Sequence, residues 1–126
     1  MTREAVHSEA APAAIGTYSQ AIRANDTLYI SGQLPMDPAT GELVQGEIKV
    51  HIRQVFANLS AIAEAAGGRL NDAVKINVYL TDLADFAAVN EIMAEYLQAP
   101  YPARAAVQVG ALPRGATVEA DAIIAL

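Results

Sequence analysis

Apolar residues recur along this chain at two spacings. From Ile48 to Ala66 the apolar positions are Ile48, Ile52, Val55, Phe56, Leu59, Ile62 and Ala63, three or four residues apart. That period marks one face of an amphipathic helix. Lys49, Arg53, Gln54, Ser60 and Glu64 fall outside the stripe. Gly67-Gly68 predicts its stop, since glycine accepts the left-handed backbone of a helix cap. A second stripe runs through Phe86, Val89, Met93, Tyr96 and Leu97. Asp82 and Asp85 ahead of it suit the positive end of a helix dipole. Pro100 and Pro102 close it.

Elsewhere the period is two. Val74, Ile76, Val78 and Leu80 alternate with Lys75, Asn77, Tyr79 and Thr81, which predicts a half-buried strand. Tyr18–Ile22 and Thr27–Ile30 read as strands joined by a hairpin turn at Ala24-Asn25-Asp26, because Asn and Asp tolerate left-handed geometry. Gly32–Gly46, with Pro35 and Pro38, reads as a loop. Ala103–Val109 and Thr117–Ile124 read as two final strands, with Pro113 and Gly115 at the turn between them. Met1–Pro12 is a polar, alanine-rich arm.

The expected order is ββαβαββ. It describes one α+β domain over residues 1–126, a mixed sheet with two helices on one face. The other sheet face is left bare, which predicts a partner subunit.

Composition narrows the chemistry. The 126 residues carry 8 Lys+Arg against 14 Asp+Glu, for a net charge of −6. Such a balance argues against a nucleic-acid footprint. The chain has no cysteine, so disulfides, thiolate nucleophiles and Cys-based metal sites are excluded. No apolar run is long enough to cross a bilayer, and Glu4 and Glu9 do not suit a signal peptide. These features together predict a cytoplasmic protein. His7 and His51 lack partners at metal-ligand spacing, so no metal is expected. No Gly-x-Ser-x-Gly elbow is present.

The last two strands carry the candidate chemistry. Arg104, Ala106 and Gln108 share one face by the period of two, as do Thr117, Glu119 and Asp121 on the other strand. Read as an antiparallel hairpin, these strands put Arg104 and Glu119 on one surface. That is either an ordinary surface ion pair or a site. In a site, the guanidinium would grip a carboxylate with two prongs while Glu119 orients a water. Tyr18 is open between core packing and a pocket wall. Asn90 reads as a solvated polar residue on the second helix.

Taken in order, several segments resemble the Rid family of imine deaminases, also called YjgF/YER057c/UK114. They are Ala11–Ala21 (APAAIGTYSQA), Ile30–Pro35 (ISGQLP), Asp37–Glu42 (DPATGE), Glu64–Gly67 (EAAG), Val78–Leu83 (VYLTDL), Phe86–Asn90 (FAAVN), Pro102-Ala103-Arg104 and Val118-Glu119. The resemblance covers nearly the whole chain. It implies a chorismate mutase-like fold and a homotrimer with a pocket at each subunit junction. It also implies hydrolysis of 2-imino acids to 2-keto acids and ammonia, without a cofactor. Arg104 matches the arginine that binds the substrate carboxylate, and Glu119 the glutamate that positions water. Tyr18, Ser31, Gly32 and Asn90 match pocket residues, and Ala106 matches a position whose backbone N–H holds the substrate. Two residues depart from the common pattern: Ala106 stands where many members have cysteine, and Thr17 where many have proline.

The alternative is a non-catalytic trimeric protein that senses a small carboxylate. It would use Arg104 but would not need Glu119. The ribonuclease label attached to the same family is disfavoured by the charge.

Overall fold

A computed structural model describes residues 2–126, so Met1 of the expected arm lies outside the described residues. The chain builds one six-stranded sheet and two helices. In chain order the elements are β1 (Arg3–Val6), β2 (Ala21–Ala24), β3 (Thr27–Gln33), α1 (Ile48–Ala65), β4 (Ala73–Leu80), α2 (Phe86–Tyr96), β5 (Ala103–Gln108) and β6 (Val118–Ala125). The expected ββαβαββ order is present, with one strand added in front. The arm supplies β1, which pairs antiparallel with β2.

The sheet order is β1-β2-β3-β6-β4-β5. The β2–β3 hairpin turns at Asn25, whose φ of +55° is the left-handed geometry its residue type tolerates. β2 starts at Ala21, so Tyr18 precedes the strand rather than belonging to it. β6 lies centrally, antiparallel to both β3 and β4.

β5 pairs with β4 alone, and in parallel. The last two strands therefore do not form the expected hairpin. Parallel neighbours need a crossover, here supplied by α2, and such crossovers are almost always right-handed.

Both helices cover one sheet face. α1 buries Ile52, Val55, Phe56, Leu59, Ile62 and Ala63 there. α2 buries Val89, Ile92 and Met93. The strands answer with Leu28, Ile30, Ile76, Val78, Leu80, Val118, Ala120, Ala122 and Ile124. Val74 departs from the expected stripe. A register shift between Ala73 and Lys75 leaves it exposed and turns Ala73 inward. No helix among the described residues is long and apolar enough to cross a membrane.

The centre of this layer is Phe56, fully buried and stacked at a tilt on Tyr96 of α2, with ring centroids 5.9 Å apart. Phe56→Ala should lower stability by about 3–5 kcal/mol, read as a fall in the urea midpoint with an unchanged slope. A loss below about 1 kcal/mol would mean that the two helices are not held together through this ring.

Candidate functional site

Two pockets hold most of the residues singled out above. The first, about 420 Å³, is lined by Tyr18, Gly32 and Glu119, together with Pro12, Ile15, Leu34, Met36 and Arg114. The second, about 460 Å³, is lined by Asn90, Met93, Ala94, Tyr101, Pro102 and Arg104. The structure brings Tyr18, Gly32 and Glu119 together. It brings Asn90 and Arg104 together elsewhere.

The separation follows from register. Arg104 is opposite Ile76 on β4, and Ile76 is opposite Ala122 on β6. Ile76 and Ala122 are core residues beneath the helices, so Arg104 points to the helix side. Glu119 is opposite Tyr79, and Asp121 opposite Asn77, on the open face. Arg104 and Glu119 therefore lie on opposite faces of one sheet. Reading the strands as a hairpin put them on one face, and the parallel placement of β5 overturns that. It also exposes Val107, which the hairpin reading would have buried.

Arg104 is held by α2. Its Nη1 donates to Oδ1 of Asn90 and approaches Sδ of Met93 at 3.6 Å. Its guanidinium carbon lies 4.9 Å from the centre of the Phe86 ring, a cation–π contact. Asn90 is thus a positioning partner rather than a merely solvated residue. No carboxylate among the described residues pairs with Arg104, so most of its donor fork is unused.

Ala106 is half-buried against the core, between Arg104 and Gln108. The N–H of Val109 donates to the Leu80 carbonyl at 2.8 Å. Alternate residues of a strand direct their backbone groups to opposite sides. The N–H of Ala106 therefore points to the unpaired edge of β5, a free donor.

Around Glu119 the walls are set by two buried amides. The side chain of Gln20 accepts from the Ser8 N–H at 2.6 Å and donates to the carbonyls of Ser8, Ala11 and Pro12 at 3.1, 3.3 and 2.8 Å. Asn58, on α1, donates to the carbonyls of Leu34 and Met36 at 3.2 and 3.0 Å. Both pocket loops are thus tied to buried polar groups, which cannot be left unpaired cheaply. Neither amide stood out in the sequence, where each reads as an ordinary polar residue.

A bulge between Ile30 and Gln33 places Ser31 and Gly32. Bulges commonly re-aim residues beside a site. Ser31 donates its hydroxyl to the Ser19 carbonyl at 2.6 Å and does not line the pocket. Gly32 lies directly under the Glu119 side chain.

Glu119 itself has no hydrogen-bond donor among the described residues. Burial, and then the neighbouring Asp121 charge, push its carboxyl above the usual carboxylate range. Asp121 is satisfied by Asn77 at 2.9 Å and by the Tyr79 hydroxyl at 3.1 Å. Glu119 is therefore the carboxylate left available to an incoming molecule. His51, on α1, is partly buried. Its Nδ1 meets the Thr117 hydroxyl at 2.9 Å, and its Nε2 is shut off from solvent.

The family model described as Endoribonuclease L-PSP matches residues 8–126. A RutC family protein of Pyrococcus horikoshii is 52% identical over 121 residues, covering 96% of each chain. A 2-iminobutanoate/2-iminopropanoate deaminase of Mus musculus is 50% identical over 121 residues, 96% of this chain and 90% of that one. The crystal structure of RidA from the Antarctic bacterium Psychrobacter sp. PAMC 21119 superposes with a TM-score of 0.93 at 56% identity, covering 98% of this chain and 99% of that one.

Two outcomes are expected. A methyl added at Gly32 would come within 2.9 Å of the Glu119 carboxyl carbon. The atoms displaced are the tip of a flexible side chain. Gly32→Ala should therefore keep its fold by circular dichroism while a crystal structure shows the carboxylate moved, and an unmoved carboxylate would contradict the contact. The second concerns pH. A carboxyl whose pKa is raised by folding stabilises the fold below the ordinary carboxylate pKa, and this is lost as pH rises through the folded value. Glu119→Gln should gain stability relative to wild type as pH rises above about 4 in urea titrations. A difference that stays constant as pH rises would refute it.

Proposed function

The chain belongs to the endoribonuclease L-PSP family, and from that premise we propose that it is an imine deaminase whose site is completed between two copies of the chain. The substrates are reactive 2-imino acids or their enamine tautomers, such as iminopropanoate and iminobutanoate. The products are 2-keto acids and ammonia. A nucleic-acid substrate is disfavoured by the net charge of −6.

One observation carries the shared site. Arg104 and Glu119 occupy separate pockets on opposite faces of one sheet. A substrate of a few atoms cannot touch both within one protomer. Joining the Arg104 pocket of one copy to the Glu119 pocket of the next uses both. It also covers Ile15, Tyr18 and Tyr101, which are large, apolar and 77%, 53% and 64% exposed at the pocket walls. Such a head-to-tail contact joins two different patches, and it closes into a ring when the rotation allows. In this reading the ring is a trimer, as the family resemblance implies.

The chemistry fits these few groups. Arg104, aimed by Asn90 and Phe86, holds the substrate carboxylate, with the backbone N–H of Ala106 beside it. The carbon of a protonated imine is already electrophilic, so no covalent nucleophile is required. Glu119 accepts a proton from water as its oxygen bonds to that carbon. It then returns the proton to nitrogen, the C–N bond of the carbinolamine breaks, and ammonia leaves. The hydroxyl passes its proton to the Glu119 carboxylate as the keto group forms, and the departing ammonia takes it up as ammonium. A positioned carboxylate in this role contributes roughly 10²–10⁴-fold. It must be ionised to begin, so the raised pKa of Glu119 should set the acid limb of the pH–rate profile.

The test couples an amino-acid oxidase to the protein and follows semicarbazide trapping of the imine. Arg104→Ala and Glu119→Gln should each trap like a no-protein control. Refolded together, the two variants should regain part of the activity, because mixed rings contain intact junctions. The assembled species should have three times the 13.2 kDa chain mass by sedimentation. Failure of the mixture to recover, with both variants folded and assembled, would sink the shared site. If Glu119→Gln instead kept carboxylate affinity and every cellular effect, a non-catalytic carboxylate-binding regulator would be the better reading.

A further inference from the structure

Arg114 was not singled out by the sequence, and the proposed chemistry does not use it. Among the described residues it is the only basic side chain lining the Glu119 pocket. It sits between Pro113 and Gly115 with φ +60° and ψ 16°, a left-handed backbone that non-glycine residues adopt at a cost. Its Nη1 donates to the Gly41 carbonyl at 3.1 Å, which tethers the guanidinium to the loop after β3. That bond takes one of five donors. Neither Glu119 nor any other carboxylate among the described residues forms an ion pair with it.

Three other basic side chains pair with carboxylates at the surface. Lys49 pairs with Glu91, Arg53 with Glu95 and Arg69 with Asp72. Arg114 faces the pocket instead, on a strained backbone and with its fork open. A planar guanidinium so presented matches a carboxylate.

In the deaminase reading, Arg104 takes the carboxylate beside the imine carbon. Arg114 is then left for an anionic group at the far end of the substrate. We propose that Arg114 forms a second anion subsite, and that this protein favours 2-imino acids bearing a side-chain carboxylate over aliphatic ones of equal length. The identity of the imine rests on the deaminase reading. The anion subsite rests on the pocket itself.

The experiment compares two four-carbon imines, made in situ by oxidation of L-aspartate and of 2-aminobutanoate. The kcat/KM for each is measured with wild type, Arg114→Gly and Arg114→Lys. Glycine suits the left-handed backbone, so the first variant keeps the turn. The ratio of the dicarboxylic to the aliphatic rate should exceed one in wild type. It should fall at least tenfold in Arg114→Gly, recover in part in Arg114→Lys, and shrink with added salt. A ratio untouched by Arg114→Gly, or a wild type acting on the aliphatic imine alone, would overturn the proposal.

Calorimetry with succinate and butanoate separates the two levels. If neither imine is hydrolysed but Arg114→Gly weakens succinate at least tenfold more than butanoate, the deaminase reading fails and the anion subsite stands. If succinate binding is also indifferent to Arg114, both fail.

Discussion

The parallel placement of β5 against β4 decides how this molecule can work. α2 carries the chain from one strand to the other over the helix side of the sheet, and β5 stands at the edge, paired with β4 alone. Arg104 is then on the helix side, within reach of Asn90, Met93 and Phe86. Glu119 is on the central strand β6, facing the other way. Had β5 and β6 formed a hairpin, one protomer could have presented both groups to one substrate. As built, the chain holds the two groups in separate pockets on opposite faces of the sheet.

Each half-site is stiffened in its own way. The arginine half is held by contacts from a helix, whose packing on the sheet fixes where Asn90 and Phe86 stand. The glutamate half is walled by loops, which have no ladder of their own to keep them in place. Gln20 and Asn58 supply the missing order by spending buried amides on backbone carbonyls. The bulge in β3 then sets Gly32 beneath Glu119, where any side chain would collide with the carboxylate. The polar members of the open face divide the work. Asn77 and Tyr79 satisfy Asp121, while Glu119 receives no donor among the described residues.

Charge is apportioned by the same logic. Lys49, Arg53 and Arg69 are spent on acidic neighbours at the surface, where such pairs contribute little to stability. Among the described residues Arg3, Arg23, Lys75, Arg104 and Arg114 have no acidic partner, and of these Arg104 and Arg114 line the two pockets. In a chain of net charge −6, an unpaired guanidinium facing a pocket gives that pocket a local potential opposite to the general field.

Periodicity along the chain determined the elements, because burial on one face imposes a repeat on a helix or strand whatever lies opposite. It located α1 and α2, the half-buried β4, the glycine stop after Ala66 and the left-handed turn at Asn25. The ordered motifs determined the family and named Arg104, Glu119, Tyr18, Gly32 and Asn90. The pairing of strands was not legible, since a period of two says which residues share a face of one strand and nothing about its neighbour. β1 was missed because a four-residue edge strand with three exposed residues and a half-buried Val6 carries no alternation. Gln20, Asn58 and Arg114 were missed because a polar residue looks the same in sequence whether it is solvated, buried or aimed into a pocket. Only the tertiary structure decided these points. Which side of the sheet a strand shows, and which carbonyls a buried amide meets, depend on segments far apart in the chain.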